Sequence, residues 1–152
     1  MGIRLEHVNY IYSPDNAFRK QALKDISLEI PDGQFIGLIG HTGSGKSTFI
    51  QHLNGLIKAT DGKIYYNEQN IYDENFRMTE LRSHVGLVFQ YPEHQLFAQN
   101  VFEEVAFGAR NAGTAEDYLP VKVRQALETV GLDPDQYWYH SPFELSGGQK
   151  RR

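Results

Sequence analysis

One short stretch constrains this chain more than any other, the sequence GHTGSGKST at residues 40–48. Its form, G-x-x-x-x-G-K-[ST], is that of the phosphate-binding loop known as Walker A. The apolar run at residues 35–39 comes before it and is typical of a strand buried on both faces. After it, apolar residues recur at helical spacing from Phe49 to Ile57, which predicts a helix beginning near Gly45. A strand, a glycine loop and a helix in this order are the context that the motif requires.

The chemistry of such a loop follows from its backbone. Glycines let successive N–H groups turn inward, because no Cβ blocks the approach of a polyphosphate. The start of the next helix adds unpaired N–H groups and a partial positive charge. We expect Lys46 to reach the β- and γ-phosphates and the hydroxyl of Ser47 to bind Mg²⁺. The nucleotide-binding residues predicted here are Gly40, Thr42, Gly43, Ser44, Gly45, Lys46, Ser47 and Thr48.

Composition narrows the class of protein. The chain has 152 residues, 40% of them hydrophobic and 22% charged, as expected of a globular domain with a core of its own. The net charge of -4 disfavours nucleic acid or an anionic lipid surface as a partner. No apolar run approaches the ~20 residues that span a bilayer, so we expect any membrane association to go through a partner protein. No Cys is present and the six His are scattered, which indicates neither disulfides nor a metal site.

Alternating and apolar runs predict the strands. Residues 3–12 read as a strand whose buried face changes near His7, which indicates a bulge there. A turn at residues 13–16 precedes a half-buried strand at 26–30, and a tight turn at 31–33 leads to the apolar run before the loop. A short strand is expected at 63–66. The first part of the chain should therefore be antiparallel sheet that leads into the phosphate loop.

The remainder alternates loops, a buried strand and helices. The run at 85–89 predicts a second buried strand that ends at Gln90, with a short helix before it around 79–83. Asn100 with Glu103 resembles a capping box that opens a helix through about Ala109. A further helix is expected from near Pro120 to Val130, followed by Gly131 as its C-terminal stop.

A second motif, LSGGQ, occupies residues 145–149. Ser146 is expected to cap a helix, and Gly147 with Gly148 would expose backbone N–H groups at the start of that helix. This arrangement predicts a second site for an anion.

Together, the Walker A loop, Gln90 after an apolar run and the LSGGQ sequence resemble the nucleotide-binding subunit of ATP-binding-cassette (ABC) transporters, over the whole chain and in the same order. Two further segments, VFQYPEHQLF at 88–97 and EEVAFG at 103–108, resemble the ATPases of energy-coupling factor (ECF) transporters, which import vitamins and metal ions such as cobalt and nickel. The resemblance implies an α/β fold of the P-loop NTPase class. It also implies one nucleotide-binding domain, with an antiparallel β subdomain and P-loop core at 1–90 and a helical signature subdomain at 91–152.

The resemblance also implies roles for particular residues. Tyr12 would stack on adenine, with Tyr10 as the alternative. Gln90 would complete the Mg²⁺ shell with Ser47 and sense the γ-phosphate, and the loop after it would face the membrane partner. The signature would contact the γ-phosphate of ATP bound in a second, opposing subunit. Its binding residues would be Ser146, Gly147, Gly148 and Gln149.

The partners implied by the resemblance are a second ABC ATPase subunit, identical or different, a transmembrane subunit and a substrate-binding membrane subunit. ATP and Mg²⁺ are the implied cofactors, and the implied location is the cytoplasmic side of the cell membrane, at its periphery. The activity implied for the full-length subunit is ATP hydrolysis coupled to import.

The sequence departs from the family pattern at one point. No apolar strand ending in Asp-Glu (Walker B) and no switch His follow the signature before Arg152, so no catalytic residue is assigned. We therefore expect a truncated subunit whose parallel sheet has a gap, with marginal stability and no ATP turnover. Two alternatives remain open, a soluble ABC protein that acts on ribosomes or DNA and a non-catalytic nucleotide-binding module.

Overall fold

The computed structural model describes residues 2–15, 17–91 and 94–152. Asn16, in the predicted turn, and Pro92 and Glu93, in the ECF-like segment, lie outside the described residues. The described chain forms two compact units, of which the first ends at Leu87 and the second begins at Val88. Each unit has its own hydrophobic core.

The first unit is built on an antiparallel sheet with the strand order β2-β1-β3-β4. The strands are β1 (Gly2–Tyr12), β2 (Lys20–Pro31), β3 (Asp61–Tyr66) and β4 (Gln69–Asn70). The same unit contains two helices, α1 (Lys46–Leu53) and α2 (Met78–His84). The antiparallel sheet predicted for the first part of the chain is therefore confirmed.

The predicted bulge in β1 is present at His7. The register of β1 against β2 shifts between Leu5 and Val8, and His7 has a φ of 50°. Because the bulge adds one residue, Leu5 and Val8 both reach the core despite the odd spacing between them. They pack there with Leu23, Ile64 and other buried residues, and with Phe49 and Leu53 of α1. The core thus holds α1 against the sheet.

The two buried parallel strands predicted from apolar runs do not form. Residues 34–41 and 86–89 have no strand pairing, and Phe35 and Ile39 are almost fully exposed, at 102% and 95%. A strand exists only when a neighbour accepts and donates its backbone hydrogen bonds. Among the described residues no segment pairs with either run, so the predictions at 35–39 and 85–89 are wrong for this chain. The helix after the loop is also shorter than the apolar spacing indicated, since it ends at Leu53.

The second unit is helical. Its helices are α3 (Val101–Asn111), α4 (Leu119–Thr129), α5 (Pro134–Tyr137) and α6 (Gly147–Arg151), with short 3₁₀ turns at Glu116–Tyr118 and Pro142–Glu144. The side chain of Asn100 accepts a hydrogen bond from the amide of Glu103, which confirms the predicted cap of α3. Gly131, with a φ of 70°, follows α4 as predicted. Buried apolar residues of α3 and α4 form the core, including Val101, Ala106, Val123 and Leu127.

Across the part of the chain that the structure describes, no helix combines the length and the apolar character needed to cross a membrane.

Candidate functional site

The phosphate loop at 40–48 lies in the first unit. It follows the unpaired apolar run at 35–39 and leads into α1. Two of its glycines have positive φ angles, 81° at Gly43 and 91° at Gly45. The amide of Ser44 donates to the carbonyl oxygen of His41 at 3.2 Å, which closes a turn inside the loop. Positive φ values at two glycines two residues apart turn the intervening backbone amides toward one side, as a concave anion site requires.

Steric contacts distinguish the three glycines of the motif. A Cβ at Gly45 would lie 2.5 Å from the carbonyl oxygen of Ala22 on β2, and a Cβ at Gly40 would lie 2.6 Å from the hydroxyl oxygen of Ser44. At Gly43 a Cβ would meet no atom within 4 Å. The first two glycines therefore let the loop close on itself and on the sheet, whereas the space beside Gly43 is open. That open space is where a bound group can approach the backbone.

Lys46 lies across the loop. Its ammonium group donates to the carbonyl oxygens of Gly40 at 2.7 Å and His41 at 2.8 Å. Among the described residues no carboxylate forms an ion pair with it. A cation that is held only by neutral oxygens keeps its charge available for an anion.

The N-terminus of α1 completes the donor set. At this end the amide of Phe49 donates to the carbonyl oxygen of Gly45 at 2.8 Å, and no side chain caps the helix. The amides of the first turn precede that bond and point out of the helix. The hydroxyl of Ser47 is exposed there. Backbone donors, an ammonium group and a helix start fit a polyphosphate, and one hydroxyl fits Mg²⁺ only if phosphate oxygens supply further ligands.

Tyr12 lies beside this helix. Its hydroxyl is 3.0 Å from Oγ1 of Thr48, and the residue is 39% exposed. The structure therefore brings the predicted base-stacking residue next to the phosphate loop, although 36 positions separate the two in sequence. Tyr10, the alternative, packs edge-on against Tyr12 with ring centroids 4.8 Å apart. Because Tyr12 is exposed and Tyr10 is only partly exposed, Tyr12 is the better placed of the two to contact a base.

His52 packs against these residues, although the sequence analysis did not single it out. It is fully buried, its Nδ1 is 2.7 Å from the carbonyl oxygen of Thr48, and its ring is 4.8 Å from that of Tyr10. Burial lowers the pKa of His52 below its ordinary value, since the interior disfavours the charged imidazolium, and the hydrogen bond to Thr48 opposes this only in part. The spacing of four residues from Thr48 is the one pattern that relates it to the loop.

Gln90 and the signature lie in the second unit. Gln90 is exposed, and its backbone carbonyl accepts a hydrogen bond from the guanidinium of Arg151 at 3.0 Å. The loop after it is tied to α3, because the carboxylate of Glu104 accepts from the amides of Phe97 at 3.0 Å and Ala98 at 2.8 Å. No sequence pattern indicates this contact of Glu104, because it joins a side chain to amides six and seven residues before it.

The signature forms the predicted helix start. The hydroxyl of Ser146 accepts from the amide of Gln149 at 3.3 Å, and the side chain of Gln149 accepts from the amide of Ser146 at 2.9 Å. These two bonds make a capping box, so the cap predicted at Ser146 is confirmed. Gln149 also donates to the hydroxyl of Tyr137 at 2.8 Å. The two glycines at 147 and 148 have open space where a Cβ would project.

An antiparallel sheet, a Walker A loop at a helix start and a separate helical unit with the LSGGQ sequence are the features of the ABC ATPase fold. Residues 23–152 match the ABC transporter family, and the chain belongs to that family.

Relatives and solved structures agree with this class. The chain is 51% identical over 152 residues to the energy-coupling factor transporter ATP-binding protein EcfA2 of Clostridium perfringens, covering 100% of this chain and 53% of that protein. The EcfA2 protein of Clostridioides difficile matches with the same identity and coverage. The structure of cbiO1 from Clostridium perfringens, described as part of the ABC transporter complex cbiONQ, superposes with a TM-score of 0.78 at 35% identity, covering 98% of this chain and 57% of that one.

A further structure, the ATP-binding cassette MJ0796 bound to ADP and Pi as a dimer, superposes with a TM-score of 0.79 at 26% identity. It covers 97% of this chain and 65% of that one. The chain spans about half the length of the curated relatives that it matches.

Proposed function

We propose that this chain supplies the ATP-binding loop of an ECF-type importer ATPase, which couples ATP binding and hydrolysis to the uptake of a vitamin or of cobalt or nickel. The observation that carries the proposal is the loop itself. Lys46 bridges the carbonyls of Gly40 and His41 without a carboxylate partner among the described residues, at an uncapped helix start. The similarity to EcfA2 proteins and to cbiO1 supports the transport class.

Each residue of the loop has a distinct role in the proposal. The backbone amides around Gly43 and Gly45 and the ammonium of Lys46 bind the phosphates, since they are donors on one concave surface. Ser47 binds Mg²⁺, with the phosphates as its other ligands, and Gln90 is a metal ligand by resemblance to the family. Tyr12, an exposed residue beside the loop, stacks its ring on the base. The remaining binding residues proposed are Gly40, Thr42, Ser44, Thr48, Ser146, Gly147, Gly148 and Gln149.

The assembly in the proposal is a dimer of ATPase subunits, in which the signature of one subunit contacts ATP held by the loop of the other. The ECF-like segment that follows Gln90 faces a transmembrane subunit, which places the protein at the cytoplasmic side of the membrane. A substrate-binding membrane subunit selects the solute. The dimeric structure described for MJ0796 supports a dimer of ATPase subunits.

A non-catalytic nucleotide-binding module is a second candidate for the chain as it stands. It is favoured by one observation: the loop's amides and Lys46 are donors that bind phosphate whether or not the protein hydrolyses ATP. The two candidates predict the same binding by the 152-residue chain and differ only in turnover by the protein of full family length.

Titration of the 152-residue chain with ATP and Mg²⁺ tests the binding proposal. We expect saturable binding that Lys46→Ala weakens by about tenfold or more, because one ammonium contact to phosphate is removed. Lys63→Ala is the matched control, since it removes the same charge from an exposed position on β3. Equal binding by the Lys46 and Lys63 variants would contradict the proposal.

A second measurement separates the importer from the module. In cells that carry the complete reading frame around this chain, Lys46→Ala should abolish ATP-dependent uptake, whereas the Lys63 variant should retain it. Undiminished uptake by the Lys46 variant would rule out the transport role.

A further inference from the structure

His52 is a buried polar side chain whose position the proposed ATP site does not by itself require. It is 0% exposed, and its Nε2 is the one buried side-chain nitrogen or oxygen without a partner among the described residues. The carbonyl of Thr48 can only accept, so Nδ1 carries the proton and donates to it at 2.7 Å. Nε2 is then a bare acceptor in an apolar environment. Such an unmet acceptor lowers stability, so an apolar side chain would suit the core better.

His52 and three other residues form a closed circuit of contacts. Its ring packs edge-on against Tyr10 at 4.8 Å, and Tyr10 packs edge-on against Tyr12, also at 4.8 Å. The hydroxyl of Tyr12 bonds to Oγ1 of Thr48 at 3.0 Å, and the carbonyl of Thr48 bonds back to His52. Two of these residues belong to the end of β1 and two to α1. The circuit therefore ties the exposed tyrosine to the helix that begins at the phosphate loop.

We propose that His52 is a positioning residue for recognition of the nucleotide base. Being buried, it makes no contact with the nucleotide. It backs the ring of Tyr10, which backs that of Tyr12, and it holds the Thr48 segment whose hydroxyl fixes the Tyr12 phenol. The face of Tyr12 is thereby set at one distance from the phosphate loop. This inference rests on the proposed function, since it concerns the base end of the same ATP site.

The circuit should affect binding of the base and not binding of the phosphates. The donors that meet the phosphates are backbone amides and Lys46, whereas the hydrogen bond of His52 to the loop is made to the carbonyl oxygen of Thr48, which cannot donate to a phosphate. Loss of the imidazole should therefore loosen Tyr12 without altering the loop. A merely structural role would instead affect binding of the base and of the phosphates alike.

The test compares two ligands in the presence of Mg²⁺, ATP and inorganic tripolyphosphate, which has no base. Tyr12→Ala sets the scale and should weaken ATP by about tenfold while leaving tripolyphosphate nearly unchanged. His52→Leu should weaken ATP by at least about threefold in the same direction, with tripolyphosphate within about twofold of the unsubstituted chain. Its melting temperature should stay equal or rise, because the unmet Nε2 is gone.

His52→Phe is the second variant. It retains a ring against Tyr10 but lacks the donor to Thr48, so we expect a smaller loss of ATP affinity than in His52→Leu, and it supplies the same comparison if the leucine variant does not fold. The inference would be overturned if both variants kept the ratio of the ATP and tripolyphosphate affinities unchanged, whether neither ligand lost affinity or both lost it equally. If the unsubstituted chain bound neither ligand, the proposed ATP site itself would fail, and the inference with it.

Discussion

Gly45 packs directly against the backbone of Ala22 on β2, so closely that a Cβ at Gly45 would lie 2.5 Å from the carbonyl oxygen of Ala22. Its φ of 91° is also one that side-chain-bearing residues rarely adopt. The last glycine of the loop is thus where the anion site is joined to the sheet. Sheet and loop cannot be varied independently at this point.

Substitution of Gly45 should therefore displace the loop from the sheet and destabilise the first unit. We expect Gly45→Ala to lower the free energy of unfolding by about 2 kcal/mol or more, since backbone strain adds to the clash with Ala22. Urea unfolding of the first unit measures it. The control is Gly37→Ala, where a Cβ meets no atom within 4 Å, and we expect a change below about 0.5 kcal/mol there. Similar losses in both variants would refute the steric account.

The capping box of the signature predicts a local effect. Ser146→Ala removes the acceptor for the Gln149 amide and should destabilise the start of α6 by about 1 kcal/mol. The measurement is hydrogen exchange of the Lys150 amide, which bonds to the carbonyl of Ser146 at 2.9 Å. Ser146→Thr retains a hydroxyl acceptor and is the matched control. If the alanine and threonine variants exchanged equally fast, the cap would have no energetic role.

Protonation of His52 should make the free energy of unfolding depend on pH. Because burial lowers the pKa of His52 in the folded state below 6.5, the unfolded chain binds the proton more readily. Above that pH both states are neutral at this residue, and the free energy of unfolding should decrease as the pH falls below about 6.5. Urea titrations between about pH 5 and pH 8 measure it, and His52→Leu should flatten the acid side of the curve.

His7 should act in the opposite sense. Its hydrogen bond to Asp25 at 2.7 Å, with the charge of Asp25, raises the pKa of His7 above 6.5. The stability from this pair is fully present below 6.5 and is lost as the pH rises through the folded pKa. His7→Gln should therefore lower stability on the acid side, where the charged pair is formed, and remove the decrease that the pair contributes as the pH rises above 6.5. A single curve shared by the His7 and His52 variants would contradict both assignments.

The unpaired apolar segment at 35–39 predicts a surface property of the 152-residue chain. Phe35 and Ile39 expose nearly all of their side chains, and contiguous apolar surface on unpaired backbone favours association. We expect the chain to bind a hydrophobic dye and to self-associate at high concentration. Replacing both Phe35 and Ile39 by Ser should reduce dye binding by about half or more. Phe18→Ser, at a position 83% exposed outside this segment, should have little effect.

Much of the local structure could be predicted because its causes lie within a few residues. The bulge at His7 follows from a change of alternation, and the caps at Asn100 and Ser146 follow from side chains that reach an amide three residues on. The loop follows from glycines whose positive φ angles no other residue adopts so readily. In each case the determining interaction is complete within one turn of the chain.

Patterns within short segments of the sequence were enough to predict the phosphate loop, the signature helix start and the strands of the antiparallel sheet. That the apolar runs at 35–39 and 85–89 form no strand at all emerged only from the folded chain, because a buried strand needs a neighbour that its own residues cannot supply. The tertiary structure also decided that Tyr12 reaches Thr48 and that His52 is buried behind both. Contacts between β1 and α1 depend on how the chain packs, and no spacing along the sequence encodes that distance.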